Sequence, residues 1–185
     1  MNNANDSKNN RPITEEDCKK LYEMCKTPQN VIGHCREVGR VAGGLAARLN
    51  KAGYKFDENL CIMAGNVHDI MRTSENHGEE GAKVLVKCGF NREADLVRNH
   101  MHYDFNDIEH LTEMDLLCLA DRMVEDDKYV GFEKRMDSLI KRRNFSPEKA
   151  AVFQAKKEDT KQFINKLEEK IGEPLDNLFL RDKQK

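Results

Sequence analysis

An apolar run, Leu60-Cys61-Ile62-Met63-Ala64-Gly65-Asn66-Val67, ends on a histidine and an aspartate, His68 and Asp69. That junction constrains the fold more than any other stretch of the chain. An ionised carboxylate at the end of a segment that must be buried is costly unless a cation or several donors offset it. Asp and His are both ligands that hard or borderline divalent metals accept. Whatever fold the chain adopts must bring partners to this pair.

The rest of the chain reads as helices. Val31, His34, Val38, Val41, Ala42, Leu45 and Leu49 recur at helical spacing between about Gln29 and Lys51, with His34 on the apolar stripe. Thr14 with acids behind it opens a shorter helix, and Thr27-Pro28 separates the two. Asp57 is placed to cap the helix that carries His68 and Asp69. Further helices are expected from about His77 to Gly89, from Asn91 to His100, behind Thr112-Glu113-Met114-Asp115, and from Phe132 to Arg143. Ser146-Pro147-Glu148 opens a long charged helix that Gly172 stops. The segment from Met101 to His110 is polar and aromatic and reads as a loop. There is no convincing alternating strand run and no internal repeat. The expectation is an all-α bundle of roughly eight helices. Residues 1–11 read as a disordered lead-in and 12–180 as one domain, with a C-terminal helical extension from about 146.

Composition narrows the function classes. With 31 basic and 33 acidic residues the formal charge is −2, which argues against nucleic-acid binding or a membrane surface. No stretch approaches a membrane span and no apolar leader opens the chain. Cys18, Cys25, Cys35, Cys61, Cys88 and Cys118 form no C-x-x-C pair and sit mostly in helical apolar patterns. They read as reduced thiols in a cytoplasmic protein.

Six residues, His34, His68, Asp69, His77, His100 and Asp121, fall on apolar helical faces or helix ends. Asp121 follows Leu116-Leu117-Cys118-Leu119-Ala120, so its carboxylate needs a partner, and a metal is the simplest one. Singly, each has a plainer account. A buried histidine is more often a hydrogen-bonded core residue, His77 fits a surface position, and Asp121 could pair with Arg122. Together, on separate helices, they have the form of a metal site built inside a bundle.

The order His34, then His68-Asp69, then Asp121 resembles the HD-domain metal-dependent phosphohydrolase superfamily. The likeness extends over about Thr27 to Met136. His77-Gly78-Glu79-Glu80-Gly81-Ala82 and Val97-Arg98-Asn99-His100 are similar to further segments of some members. Leu119-Ala120-Asp121-Arg122-Met123-Val124 resembles the end of the HD module fused to molybdenum-cofactor-type nucleotidyltransferases, here standing alone. The five-histidine set also resembles the HD-type diadenosine tetraphosphate hydrolases, which bind two irons. Two positions depart from the pattern: Arg72 stands where members often carry Lys, and Val67 where they often carry Leu. Arg keeps the charge and offers a better fork to phosphate.

The resemblance implies a phosphohydrolase that cleaves a phosphoester bond of a nucleotide or other small phosphorylated metabolite. Its alternative is a non-catalytic metal- or nucleotide-sensing module. One or two divalent ions are expected: His34, His68, Asp69 and Asp121 on the first, His77 and His100 on the second, and Asp69 shared. Mixed nitrogen and oxygen ligands admit iron, manganese, zinc, nickel or magnesium, and the histidine count favours iron or manganese. Asp69, His68 and Arg72 are the expected catalytic residues. Arg72, Lys83, Arg98, His102 and Arg122 are candidates for substrate contact, although each also fits a solvated face. Tyr103 and Phe105 could stack on a nucleobase or simply anchor their loop. The long C-terminal helix could pack on the domain or on a second copy in a homodimer.

Overall fold

The computed structural model describes residues 11–143 and 145–180, less the side chain of His102. The polar lead-in therefore lies, except for Arg11, outside the described residues. The first helix, α1 (Glu15–Cys25), starts at Thr14, whose hydroxyl accepts from the Asp17 N–H while the Asp17 carboxylate accepts from the Thr14 N–H at 2.9 Å. Pro28 then breaks the chain before α2 (Gln29–Lys51). The Asp57 carboxylate accepts from the Leu60 N–H at 3.0 Å and starts α3 (Glu58–Val67).

The next two helices are α4 (His77–Lys87) and α5 (Asn91–Asn99), the latter followed by a 3₁₀ turn over His100–His102. A second such turn, Ile108–His110, leads to α6 (Glu113–Asp121). A small antiparallel hairpin follows, with β1 (Val124–Glu125) paired to β2 (Lys128–Tyr129). The chain ends in α7 (Phe132–Arg143), α8 (Pro147–Ile171) and α9 (Leu175–Leu180).

Two hydrophobic clusters organise these elements. One joins α2, α6, the hairpin and the three C-terminal helices through Leu45, Leu49, Leu116, Leu119, Phe132 and Leu167. The other joins α1, α4 and α5 through Leu21, Leu85, Ala94 and Val97. Helix α3 belongs to both: Cys61 and Ala64 face the first, Met63 and Val67 the second. Each fully buried Leu or Val contributes about 1.5–3 kcal/mol, so α3 is held from both sides. His68 and Asp69 sit at the end of a helix that has buried members in both clusters.

The approach of α2 to α3 is closer than side chains allow. A Cβ on Gly65 would lie 2.4 Å from the Gly39 Cα and 2.6 Å from its nitrogen. The two backbones touch at this crossing, which brings His34 on α2 over the end of α3.

The all-α expectation holds, with three differences. Nine α-helices lie among the described residues, not eight; α9 is too short for a periodic pattern, yet it buries Leu175, Leu178 and Phe179. The hairpin was not foreseen because two-residue strands carry no alternation. Helix α3 closes at Val67, so His68 is its cap and Asp69 lies in the turn beyond. The C-terminal half of α8 packs on the body of the protein through Phe163, Ile164 and Leu167, whereas Val152 in its first half is exposed.

Candidate metal centre

Six side chains from five parts of the fold converge. His34 comes from α2, His68 and Asp69 from the end of α3, His77 from the first position of α4, His100 from the end of α5 and Asp121 from the end of α6. Glycine again permits the approach: a Cβ on Gly78 would press on the carbonyls of Arg98 and Val97 at 3.1–3.2 Å and on the His100 ring at 3.6 Å. Helix α4 can therefore lie against the end of α5, which brings His77 and His100 together.

Backbone carbonyls orient three of the rings. The Nδ1–H of His68 donates to the Gly65 carbonyl at 2.8 Å, and that of His100 to the Val97 carbonyl at 2.7 Å. The Nδ1–H of His34 donates to the carbonyl of Asp126, in the hairpin turn, at 3.0 Å. A carbonyl only accepts, so each of these Nδ1 atoms carries the hydrogen and each Nε2 is turned to the centre.

The two oxygens of Asp69 divide the site. Its Oδ2 lies 3.6 Å from His68 Nε2, and its Oδ1 lies 3.2 Å from His77 Nε2 and 3.6 Å from His100 Nε2. Two trios have ligand atoms within 4.8 Å of one another: His34, His68 and Asp69, and Asp69, His77 and His100. Asp121 joins neither trio, but its Oδ1 is 3.0 Å from His34 Nε2 and 3.7 Å from His68 Nε2. Atoms about 2.1 Å from one ion stand roughly 3–3.5 Å apart, close to these separations.

The polar accounting tests whether an ion fits. Five buried side-chain polar atoms among the described residues have no hydrogen-bond partner, and four of them are here: His68 Nε2, Asp69 Oδ1, His77 Nε2 and His100 Nε2. Each such atom costs about 1–3 kcal/mol if nothing satisfies it. A cation between them would satisfy all four at once. Four imidazole nitrogens and two carboxylates form a donor set suited to iron, manganese or zinc.

The electrostatics agree. Burial opposes charge on His68, but the Asp69 carboxylate beside it and the nearby Asp121 carboxylate win, and its pKa rises well above the usual histidine value. Burial would raise Asp69, yet His68, His100 and Arg72 hold it well below the usual carboxylate range. Burial likewise opposes ionisation of Asp121, which His34 and His68 hold well down. Burial lowers His77. The centre thus keeps two carboxylates ionised, the buried Asp69 and the half-buried Asp121, a field that favours cations.

The expected substrate contacts fare unequally. Arg72 donates to Asp69 Oδ2 at 3.0 Å while its side chain stays 46% exposed, so it touches both the centre and solvent. Arg122 donates to the Tyr103 carbonyl at 2.8 Å, with its guanidinium over the Phe105 ring at 4.6 Å. Lys83 is paired with Glu80, and Arg98 with Glu79 and Asp95, along α4 and α5. The side chain of His102 lies outside the described residues. Phe105 is covered on a face by Phe163, stacked at 4.3 Å, and also lies under Arg122. It anchors its loop and offers no open face to a base. Sequence carried no signal for the carbonyls of Gly65, Val97 and Asp126, because a carbonyl acceptor can come from any residue type.

The chain matches the model of the HD domain over residues 31–140, more than half its length. It belongs to the HD domain family. This HD domain places the protein in the metal-dependent phosphohydrolase superfamily. It is 35% identical over 80 residues to an uncharacterized protein of Methanocaldococcus jannaschii, a stretch covering 42% of this chain and 46% of that one. It is 30% identical over 117 residues to Ribonuclease Y of Lactobacillus helveticus, covering 62% of this chain and 20% of the ribonuclease. The Ribonuclease Y of Lactobacillus acidophilus matches to the same extent. The chain thus spans less than half the length of each of these relatives. No solved structure matches.

Proposed function

We propose that this HD domain hydrolyses a phosphoester bond of a nucleotide or another small phosphorylated metabolite, using iron or manganese. The observation that carries this reading is the set of four buried, partnerless polar atoms around Asp69, whose two oxygens face two different histidine groups. His34, His68, Asp69 and Asp121 would hold one ion, and Asp69, His77 and His100 a second. Ions bound there lower the pKa of a water and stabilise charge building on a phosphoryl group.

The chain's own residues do the rest. The backbone carbonyls fix the rings of His34, His68 and His100, so ligands need no reorganisation. Arg72 steadies Asp69 through Oδ2, and its half-exposed guanidinium is placed to meet a phosphoryl oxygen arriving from solvent. Arg122, next to Asp121 in the chain and braced by Phe105 and the Tyr103 carbonyl, is the second candidate for a phosphoryl contact. The near-even charge supports a small substrate over an RNA, although relatives named Ribonuclease Y share the domain.

Protein loaded with iron or manganese and screened against nucleoside phosphates, dinucleoside polyphosphates and a single-stranded RNA tests this. Turnover of a small phosphoester that Asp69→Ala abolishes is expected. Turnover of RNA alone, or tight nucleotide binding without turnover under either metal, would overturn the reading; the latter result would establish a sensing module.

A further inference from the structure

Away from the metal centre, the end of α1 and the end of α4 meet around a cavity lined by Met24, Cys25, Met71, Val84 and Cys88. Cys25 is the last residue of α1, and Cys88 caps α4. All six cysteines are free thiols, and Cys18, Cys35, Cys61 and Cys118 are buried in the core. Cys88 is exposed and Cys25 half-buried. The two cysteines that a solute can reach are therefore the two that share one cavity.

We propose that Cys25 and Cys88 form a reversible disulfide when the protein meets a peroxide, locking α4 against the end of α1. Both cysteines line the same space, at the facing ends of α1 and α4. Burial pushes the Cys25 thiol up, and the neighbouring Cys88 thiol pushes it further. Exposure assigns the order of events: the exposed Cys88 meets the oxidant, and the half-buried Cys25 resolves it.

In the first step the Cys88 sulfur attacks the peroxide oxygen and the O–O bond breaks. The products are a sulfenic acid and one water, with the thiol proton ending on that water. In the second step the Cys25 sulfur attacks the Cys88 sulfur. The S–S bond forms, the S–O bond breaks, and the Cys25 proton leaves with the hydroxyl as a second water. Two thiols are oxidised and one hydrogen peroxide is reduced to two waters. A dithiol reductant reverses the bond.

The bond would act on the rest of the molecule through position. Met71, in the cavity wall, lies two residues beyond Asp69, and α4 begins at His77. Closing the loop from 25 to 88 ties the end of α1 to α4, the helix that follows the turn carrying Asp69 and begins at His77. It also restricts the unfolded chain over a long segment.

The test is stoichiometric hydrogen peroxide on the full chain, followed by alkylation, intact mass and a non-reducing peptide map. The expected result is a mass lower by two hydrogens, a peptide linking Cys25 to Cys88, and a melting temperature higher by about 5 °C or more that dithiothreitol reverses. Cys88→Ser and Cys25→Ser should each abolish the linked peptide and the thermal shift. Cys88 ending as sulfinic acid, or as a bridge between two copies with Cys25 still alkylated, would overturn the proposal. Cys88 is exposed, so its serine variant keeps the fold and the comparison stays interpretable.

Discussion

Replacing Gly65 by Ala tests the backbone contact that sets the metal centre. The added Cβ would stand 2.4 Å from the Gly39 Cα, 2.6 Å from its nitrogen and 3.0 Å from the Val38 carbonyl carbon. All three are backbone atoms, so no side chain can swing away. Restoring ordinary contact requires α2 and α3 to part by about 1 Å, in a core packed to crystal-like density. Overpacking of this kind costs about 1–3 kcal/mol, and a backbone-on-backbone clash belongs at the upper end. Alanine's helix propensity returns about 1 kcal/mol. The net loss is then about 2 kcal/mol, or a melting temperature lower by roughly 4–8 °C for a chain of this size. The same shift would carry His34 away from His68, which weakens the first trio. Thermal melts of the metal-free protein and calorimetric titration with manganese measure both effects. Gly81→Ala is the control, since its Cβ would meet only side chains, Val97 at 3.2 Å and Ile70 at 3.6 Å, and should cost less. A Gly65→Ala protein that melts within 1 °C of wild type and binds manganese equally well would refute the backbone contact.

Asp69→Ala removes the oxygens facing both histidine groups and should eliminate manganese binding at both trios in a calorimetric titration; one retained site would show that Asp69 is not shared. A chelator should lower the melting temperature of metal-loaded wild type but not of Asp69→Ala, because an ion at a hundred times its Kd stabilises by about 2.7 kcal/mol. Phe105→Ala should destabilise the protein by about 1–3 kcal/mol through loss of the Phe163 stack, read by urea midpoint, with little change in KM for a nucleotide because Phe163 and Arg122 cover the ring. The Arg11 guanidinium and Thr14 hold the Asp17 carboxyl well below the usual carboxylate range. Its stabilisation is therefore complete above the unfolded-state pKa, near 4, and declines as pH falls below that. The stability gap between wild type and Asp17→Asn, followed by urea unfolding, should narrow from pH 6 to pH 2.

The sequence alone determined the longer helices and the ligand types. Helical periodicity, the caps at Thr14, Asp57 and Ser146, and the Gly172 stop are local signals, and the structure places helix ends at each of them. His68, Asp69 and Asp121 stood out because burial of ionisable groups leaves a mark in the chain itself: polar residues on otherwise apolar faces. Only the tertiary structure decided how those residues meet. It turned the two oxygens of Asp69 toward different histidines and set Arg72 against that carboxylate. It left Lys83 paired with Glu80 along α4 and Arg98 with Glu79 between α5 and α4, and it covered Phe105 with Phe163 and Arg122. These outcomes depend on distances between segments far apart in the chain. Those distances follow from the Gly39–Gly65 crossing, the Gly78 contact and the Asp126 carbonyl. A missing side chain or a backbone oxygen has no pattern of its own, so its role becomes visible only where another segment packs against it.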